Sequence, residues 1–495
     1  MPKDLKRPFF FAQFTLLLIV LTSCAPEQPK KEEVLFQQYC ASCHIAPKIE
    51  SLPKEIWRDA VLPDMASRME IEEMYQDPNE VKPGFRPKIK LADWLSLQNY
   101  IVELAPERLE SPPIPKQNSL GLFSPKTVSL DDQNGALITY LEWNTTHNCL
   151  FYGDISGRLA AYDYPSNTSK KTFQGHTPIT WYNSRDLTQM VTEVGILDPS
   201  ELEQGKMTVI QDVDTLTLSN PFHRPVHTLM EDLNGDGNLE LVVSEFGNET
   251  GQLSLLTKAE NGQYDKKTLL NLPGAIRTLA KDMDKDGRLD LVSIISQGNE
   301  SVTIFYQTGD LDFRAEKVLE FSPVYGSSWF ELVDYNGDGH DDIITVNGDN
   351  ADKSYVHKPY HGMRIHLNDG NNSFSEAFFY PLYGATRLLA KDFDQDGDYD
   401  FGLISSFPDY EKHPELSFVY LENIDSNNFQ FSTQTLENPN ASRWFLMDAA
   451  DIDGDGDEDL LLSAFTYVFT PVPEELSEQW SQGNVDLLVL ENKLK

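Results

Sequence analysis

The apolar positions of this chain fall into short runs, and five of those runs are introduced by the same kind of polar turn. LVVSEF, LVSII, IITV, FGLIS and LLLSAF directly follow DLNGDGNLE at 232–240, DMDKDGRLD at 282–290, DYNGDGHDD at 334–342, DFDQDGDYD at 392–400 and DIDGDGDED at 451–459. Short apolar runs bounded by Gly- and Asp-rich turns predict strands, not helices. A second run closes each unit, at 253–256, 302–305, 363–368, 418–423 and 485–492, with an L-x-L-L-x-N-like end. The turns recur every 50 to 59 residues, the length of one four-stranded unit in a stack or ring.

The flanks extend this pattern. Between 126 and 215 the acidic turns vanish, but ALITYLEW, NCLFYGD, RLAAYDY, ITWYNS, MVTEVGIL and KMTVIQDV still read as strands. That span fits two degenerate units, giving seven in all, so the fold class is mainly β with a seven-bladed β-propeller over 126–495. Two degenerate blades occupy 126–215 and five turn-bearing blades 216–495; VDLLVLENK at 485–493 either completes the last blade or closes the ring against the first. Upstream the period changes. Residues 33–44 read as a helix, and Leu91, Trp94, Leu95, Ile101 and Val102 recur at helical spacing before Ala105-Pro106. A small all-α domain is expected at 32–108, joined to the propeller by a Pro-rich linker at 109–125.

The repeated turn carries chemistry. Oxygen side chains stand at its positions 1, 3, 5 and 9 and glycine at position 6. A hard cation such as Ca²⁺ takes six to eight oxygens, and glycine permits the sharp turn around it. The residue 7 carbonyl would complete the shell. An EF-hand loop begins in the same way but needs Glu at position 12; here that position is Val243, Ser293, Thr345, Leu403 and Leu462. The alternative is five acidic surface turns without an ion. Turn and flanking strands together resemble the FG-GAP/VCBS-type repeat of integrin-like β-propellers, over roughly 220–495. The resemblance implies about five structural Ca²⁺ ions. Their ligands would be Asp232, Asn234, Asp236 and Glu240; Asp282, Asp284, Asp286 and Asp290; Asp334, Asn336, Asp338 and Asp342; Asp392, Asp394, Asp396 and Asp400; Asp451, Asp453, Asp455 and Asp459.

Charge follows from this. The 495-residue chain carries a formal charge of −38, and the five turns hold 22 of its acidic residues. Five divalent ions would offset ten of those charges. The remaining surface is strongly anionic, which argues against nucleic acid as a partner.

The N-terminus adds a second chemistry. Lys3, Lys6 and Arg7 precede an apolar stretch at 9–21, too short for a comfortable membrane span, as expected of an export signal over 1–24. Its end, Leu21-Thr22-Ser23-Cys24, resembles the lipobox of bacterial lipoproteins, which implies lipidation of Cys24 and a tether at 25–31. An ordinary signal peptide with a stray cysteine is the alternative. Cys40-Ala41-Ser42-Cys43-His44 is the C-x-x-C-H attachment signature of a c-type haem, with two thioether cysteines and His44 as proximal iron ligand. A redox disulfide or half a zinc site are the rivals, but no second C-x-x-C completes a zinc site. Residues 31–108 resemble a class I cytochrome c, which implies one covalent haem (heme c). The family usually has glycine eight residues before the first haem cysteine, where the terminal helices cross; Glu32 stands there, so a looser or shifted crossing is expected. The sixth ligand is expected from Met65, Met69 or Met74. Met65 is preferred because Pro63 could aim it from a loop, with Met69 next; a five-coordinate iron or a propeller histidine are the other options.

A last repeated feature lies five residues before each turn: His227, Arg277, Trp329 and Arg387, with Arg443-Trp444 displaced in the fifth repeat. These positions should open the innermost strands and ring the channel mouth opposite the acidic turns. They serve either as a ligand-docking site or as packing between blades. His357, His361 and His366 do not read as a metal site, because His361 and His366 fall on opposite faces by strand parity. No catalytic constellation is visible. The expected function is one-electron transfer at the cell envelope, with a redox partner protein, a membrane lipid anchor and a propeller for docking. The alternatives are a cytochrome-coupled exported dehydrogenase, and an adhesion or carbohydrate-binding protein with an accessory haem domain.

Overall fold

The computed structural model describes residues 29–42, 44–69, 71, 88–185, 187–211, 214–351, 354–468 and 470–494. Its strands form seven sheets arranged as a ring of blades. Blade 1 comprises Ile138–Asn144, Cys149–Asp154, Arg158–Asp163 and Thr168–Gln174, and blade 2 Ile179–Arg185, Thr188–Glu193, Lys206–Gln211 and Asp214–Thr217. Blade 3 begins at Pro225–Glu231, blade 4 at Ala275–Lys281, blade 5 at Ser327–Val333, blade 6 at Ala385–Lys391 and blade 7 at Trp444–Ala450. Each first strand packs on the first strands of both neighbouring blades, so these seven line the centre of the ring. The two blades without acidic turns occupy 138–217, against the 126–215 expected, because 123–128 belongs to another sheet.

The unbroken apolar runs are the second strands. Glu240–Glu245, Asp290–Ile295, Asp342–Asn347, Asp400–Ser405 and Asp459–Ala464 are buried at every residue. Both faces of these strands are covered by neighbouring blades, which is why no in–out alternation shows in the sequence. The outer strands, such as Asp312–Glu320, are largely exposed and charged.

Closure of the ring corrects the expected linker. Phe123–Val128 pairs antiparallel with Leu487–Asn492 and is the outermost strand of blade 7, so both ends of the propeller share one sheet. Phe123 lies edge-on to Phe393 and Tyr420 of blade 6, at ring-centroid distances of 5.7 and 5.1 Å. Gln117–Ser119 adds a parallel fifth strand to blade 6. Only the first part of the 109–125 segment therefore joins two bodies. Proline misleads here because an outermost strand tolerates Pro125, whose missing N–H is not needed on the open side.

The N-terminal module is a small helical cluster. Lys31–Cys40 crosses Leu91–Leu104, and at the crossing the Glu32 carboxylate accepts from the Ser96 hydroxyl at 2.9 Å while Lys31 pairs with Asp93 at 2.6 Å. The small residue at this contact is Ser96 on the second helix, in place of glycine on the first. Trp57–Val61 is a widened turn in which the Leu62 N–H reaches the Trp57 carbonyl. Pro63, having no N–H, cannot bond the carbonyl four residues back, and the backbone widens ahead of it. It then runs into the helix Leu62–Arg68, so Met65 sits half-buried on a helix and not on the loop expected from Pro63. Met69, just past the helix end, is buried, and Met74 lies outside the described residues.

The module's core of Leu35, Phe36, Trp57, Leu62, Trp94 and Leu97 continues into Val324 of the propeller, flanked by Tyr325, Val356 and Tyr360. The Tyr360 hydroxyl donates to the Ser51 carbonyl at 2.8 Å, and the Tyr325 and Tyr360 rings stack at 5.1 Å. These contacts come from loops on the face opposite the acidic turns. Among the described residues no helix is long and apolar enough to cross a membrane.

Candidate functional site

The five acidic turns share one backbone solution, built around the carboxylate of position 1. In each, the N–H of the position 6 glycine donates to it, at 2.8 to 3.1 Å, from Gly237, Gly287, Gly339, Gly397 and Gly456. Those glycines have φ between 86° and 103°, a region closed to most side chains. The residue 9 carboxylate (Glu240, Asp290, Asp342, Asp400 or Asp459) is buried at the start of the second strand and accepts the N–H of residue 2. Burial, reinforced by the nearby turn carboxylates, pushes Glu240, Asp400 and Asp459 up to about 7 and raises Asp290 and Asp342 as well.

All twenty predicted donors therefore lie in the five turns. In three turns the carboxylate oxygens converge within 4.8 Å of one another: Asp282, Asp284 and Asp290; Asp392, Asp394 and Asp396; Asp451, Asp453 and Asp459. An all-oxygen donor set crowded with negative charge fits a hard divalent cation. In the blade 4 turn the Arg288 guanidinium already pairs with Asp286.

A device with no assigned role in the sequence reading braces these turns. Gln307, Asn368, Asn423 and Asn492, near the ends of third strands, donate their backbone N–H to the residue 9 carboxylate of their own blade, at 2.7 to 2.8 Å. Their side-chain amides donate to the carbonyl of turn position 8. Gln307 and Asn492 also reach the preceding blade, at Leu233 O (3.0 Å) and Phe393 O (2.9 Å). The signal was the asparagine ending the L-x-L-L-x-N motif.

At the N-terminal module, Cys40 is the last residue of the first helix, a free and half-buried thiol that burial pushes up to about 11. His44 follows on the turn, with Nδ1 2.9 Å from the Ile45 carbonyl. Its ring packs toward the propeller turn at Gly298, where an added Cβ would lie 4.0 Å from Cδ2. Cys24 and Cys43 lie outside the described residues.

The expected ring positions lie on the innermost strands, within the half away from the acidic turns and not at the strand openings. His227, Arg277, Trp329 and Arg387 are each the third residue of an innermost strand, at a shift in pairing register that recurs in all seven blades. Tyr140 and Trp181 fill the same place in blades 1 and 2. Neighbours touch across blade boundaries: Trp181 and His227 rings at 4.1 Å, Arg277 and Arg387 over Trp329 at 4.3 and 4.5 Å. His227 is buried and its pKa falls well below the ordinary value. Arg443 departs from the ring and anchors loops instead, bonding the Ser406 and Tyr467 carbonyls. His361 precedes its strand and does not alternate with His366 along it; both are buried, and among the described residues neither joins a metal-ligating group.

A family model described as an FG-GAP-like repeat matches residues 282–345, from the blade 4 turn into the second strand of blade 5. The chain thus carries an FG-GAP-like repeat within a seven-bladed β-propeller. No curated relative matches it. Among solved structures, a chain from the S. cerevisiae assembly of a Dbp5 variant bound to Nup159, a Gle1 variant, IP6 and ADP is similar over 76% of this chain and 96% of that chain. The identity is 12% and the TM-score 0.41, a likeness too loose to bear on the site.

The brace is open to test. Asn492→Ala removes two side-chain hydrogen bonds to carbonyls, one buried and one part-buried, and the bond that Oδ1 accepts from the Leu494 N–H, and should lower propeller stability by about 1–3 kcal/mol in urea unfolding. A loss under about 0.5 kcal/mol would contradict the bracing role.

Proposed function

We propose that this protein is a c-type haem electron-transfer protein of the bacterial cell envelope, anchored by a lipid on Cys24. In this reading a calcium-stabilised propeller carries the haem module and offers a docking surface to a redox partner. The observation that carries the proposal is the Cys40-Ala41-Ser42-Cys43-His44 signature in the sequence, supported by Cys40 ending the helix Lys31–Cys40 beside an apolar core. Cys40 and Cys43 would form the two thioethers and His44 would be the proximal ligand. The contact of His44 Nδ1 with the Ile45 carbonyl supports this role, because it fixes the ring and leaves Nε2 for the metal. Bound there, the haem supplies one-electron exchange between ferrous and ferric iron. The chain's own part is to hold the imidazole, present a thioether from Met65 or else Met69, and exclude water through Leu35, Phe36, Leu62 and Trp94. A thioether ligand and an apolar surround both tune the potential.

Calcium is the second half of the reading. Each acidic turn would take one Ca²⁺, which neutralises carboxylates that the fold crowds together at the edge of a dry core. The ions are structural, so their removal acts on the propeller and not on the haem.

Two outcomes follow. A chelator should lower the melting temperature of the propeller and leave the haem absorption spectrum intact; unchanged melting would remove the calcium claim. For the exported protein, the dithionite-reduced spectrum should show the sharp α band of a c-type haem. The weak far-red sulfur-to-iron band of the oxidised form should disappear in Met65→Ala. A spectrum unaltered by that substitution moves the ligand to Met69 or elsewhere, and an absence of haem in a host able to attach it overturns the reading.

A further inference from the structure

A buried histidine underlies the contact between the propeller and the N-terminal module. His361 is 1% exposed, and neither of its ring nitrogens makes a well-formed hydrogen bond. Its ring lies edge-on to Tyr360 at 5.7 Å and beside the Val324 carbonyl. Both neighbours meet the module. Val324 belongs to the module's apolar core, and the Tyr360 hydroxyl donates to the Ser51 carbonyl.

The charges that act on His361 are of one sign. On its own segment Lys358 and Arg364 are buried with it and oppose a proton on the ring, and His357 acts in the same sense. Lys358 is held by Asn350 and Ser354, at 2.8 and 3.0 Å. Arg364 bonds the Tyr360 carbonyl at 2.7 Å and lies over the Tyr325 ring at 4.7 Å. The carboxylates on neighbouring elements are engaged elsewhere. Glu376, from the strand Phe374–Pro381, pairs with Arg364 at 3.1 Å, and Asp409 stands 3.9 Å from His357. Glu300 of blade 4 accepts from Gly326 and Ser327 and faces Lys358. The Val324 carbonyl favours a proton on His361, but burial and the two cations outweigh it and hold the pKa well below the ordinary value.

A proton on His361 would add a third buried cation with no carboxylate to meet it, and such a charge is far better tolerated in water. Hydrating the ring means opening the turn in which the His361 N–H reaches the Lys358 carbonyl at 3.0 Å. Tyr360 lies within that turn, and the Val324 backbone packs on the ring. We propose that His361 is an acid-sensitive latch, whose protonation loosens the propeller's hold on the N-terminal module. The direction follows from linkage. The imidazole is hard to protonate while the contact is closed and regains an ordinary value, about 6.5, when it opens. Docking is therefore at full strength above about pH 6.5 and weakens progressively as the pH falls below it. One proton taken up on opening raises the open population about tenfold between pH 7.5 and 5.5. The latch does not depend on the haem reading and goes beyond it, because it makes the seating of the module answer to the pH outside the protein.

Hydrogen exchange read by mass spectrometry tests this on the full chain with calcium in excess, at pH 7.5 and 5.5 after correction for intrinsic rates. Peptides covering 49–57 and 321–327 report the contact, and peptides from the inner strands report the propeller itself. In the wild type, protection of the contact peptides should fall about tenfold at pH 5.5 while the inner strands stay protected. In His361→Gln the contact peptides should be equally protected at both pH values. Contact protection that is the same at both pH values in the wild type overturns the inference. So does a loss of equal size in His361→Gln, which would place the proton on His44, His357 or a turn carboxylate. A matching loss in the inner strands would mean acid unfolding of the propeller and also overturns it. If His361→Gln does not fold, His361→Phe supplies the same comparison, and the wild-type arm needs no variant.

Discussion

A carboxylate buried at the first residue of the second strand is the constraint around which the propeller is built. Glu240, Asp290, Asp342, Asp400 and Asp459 are at most 3% exposed. Each sits where a strand dives between two blades, and a charge there must be hydrogen-bonded to be tolerated. One oxygen takes the N–H of turn residue 2, and in four blades the other takes an N–H from the third strand. Turn, second strand and third strand are thereby fixed to one another, and the Gln307 and Asn492 amides carry the tie into the preceding blade. What the hydrogen bonds do not remove is the net charge. The carboxylates of turn positions 1 and 5, and of position 3 in three turns, add to it, and that excess is what the proposed Ca²⁺ ions would offset.

The opposite face has a different character. There the propeller meets the N-terminal module through Val324, Tyr325, Val356 and Tyr360. This contact is apolar with one well-placed hydroxyl, and an exposed ion pair between Arg68 and Glu249 at 3.2 Å adds little. Between the two faces lies the ring of Tyr140, Trp181, His227, Arg277, Trp329 and Arg387. The protein so divides its chemistry along the channel axis, with anionic turns at one end, cations and aromatics in the ring, and the redox candidate at the other end.

How far the sequence discloses this depends on what each residue's environment demands of it. The second strands are legible because burial on both faces keeps their middles apolar and removes the in–out alternation, and the turns are legible because glycine and aspartate have few substitutes there. The closing strand FSPKTV is not legible, since an outermost strand keeps polar residues and a proline and so reads as linker. Pro63 suggested a loop for Met65, but a proline near the start of a helix is compatible with that helix once the preceding turn widens. Glu32 meets Ser96 where the two helices cross, and that partner lies 64 residues away, where no local pattern points to it. The ring residues were found by repetition, yet how they pack depends on contacts between blades, such as Arg277 and Arg387 over Trp329, that spacing alone cannot supply.

The central claim is that the module holds a covalent haem, and intact-peptide mass spectrometry tests it most directly. The exported protein, made in a host able to mature c-type cytochromes, would be digested and the peptide spanning Cys40 to His44 examined. The account predicts one haem bound to that peptide through both cysteines. Free thiols or a Cys40–Cys43 disulfide on a haem-free peptide would contradict it, and would leave a propeller with acidic turns and a small helical module of another purpose.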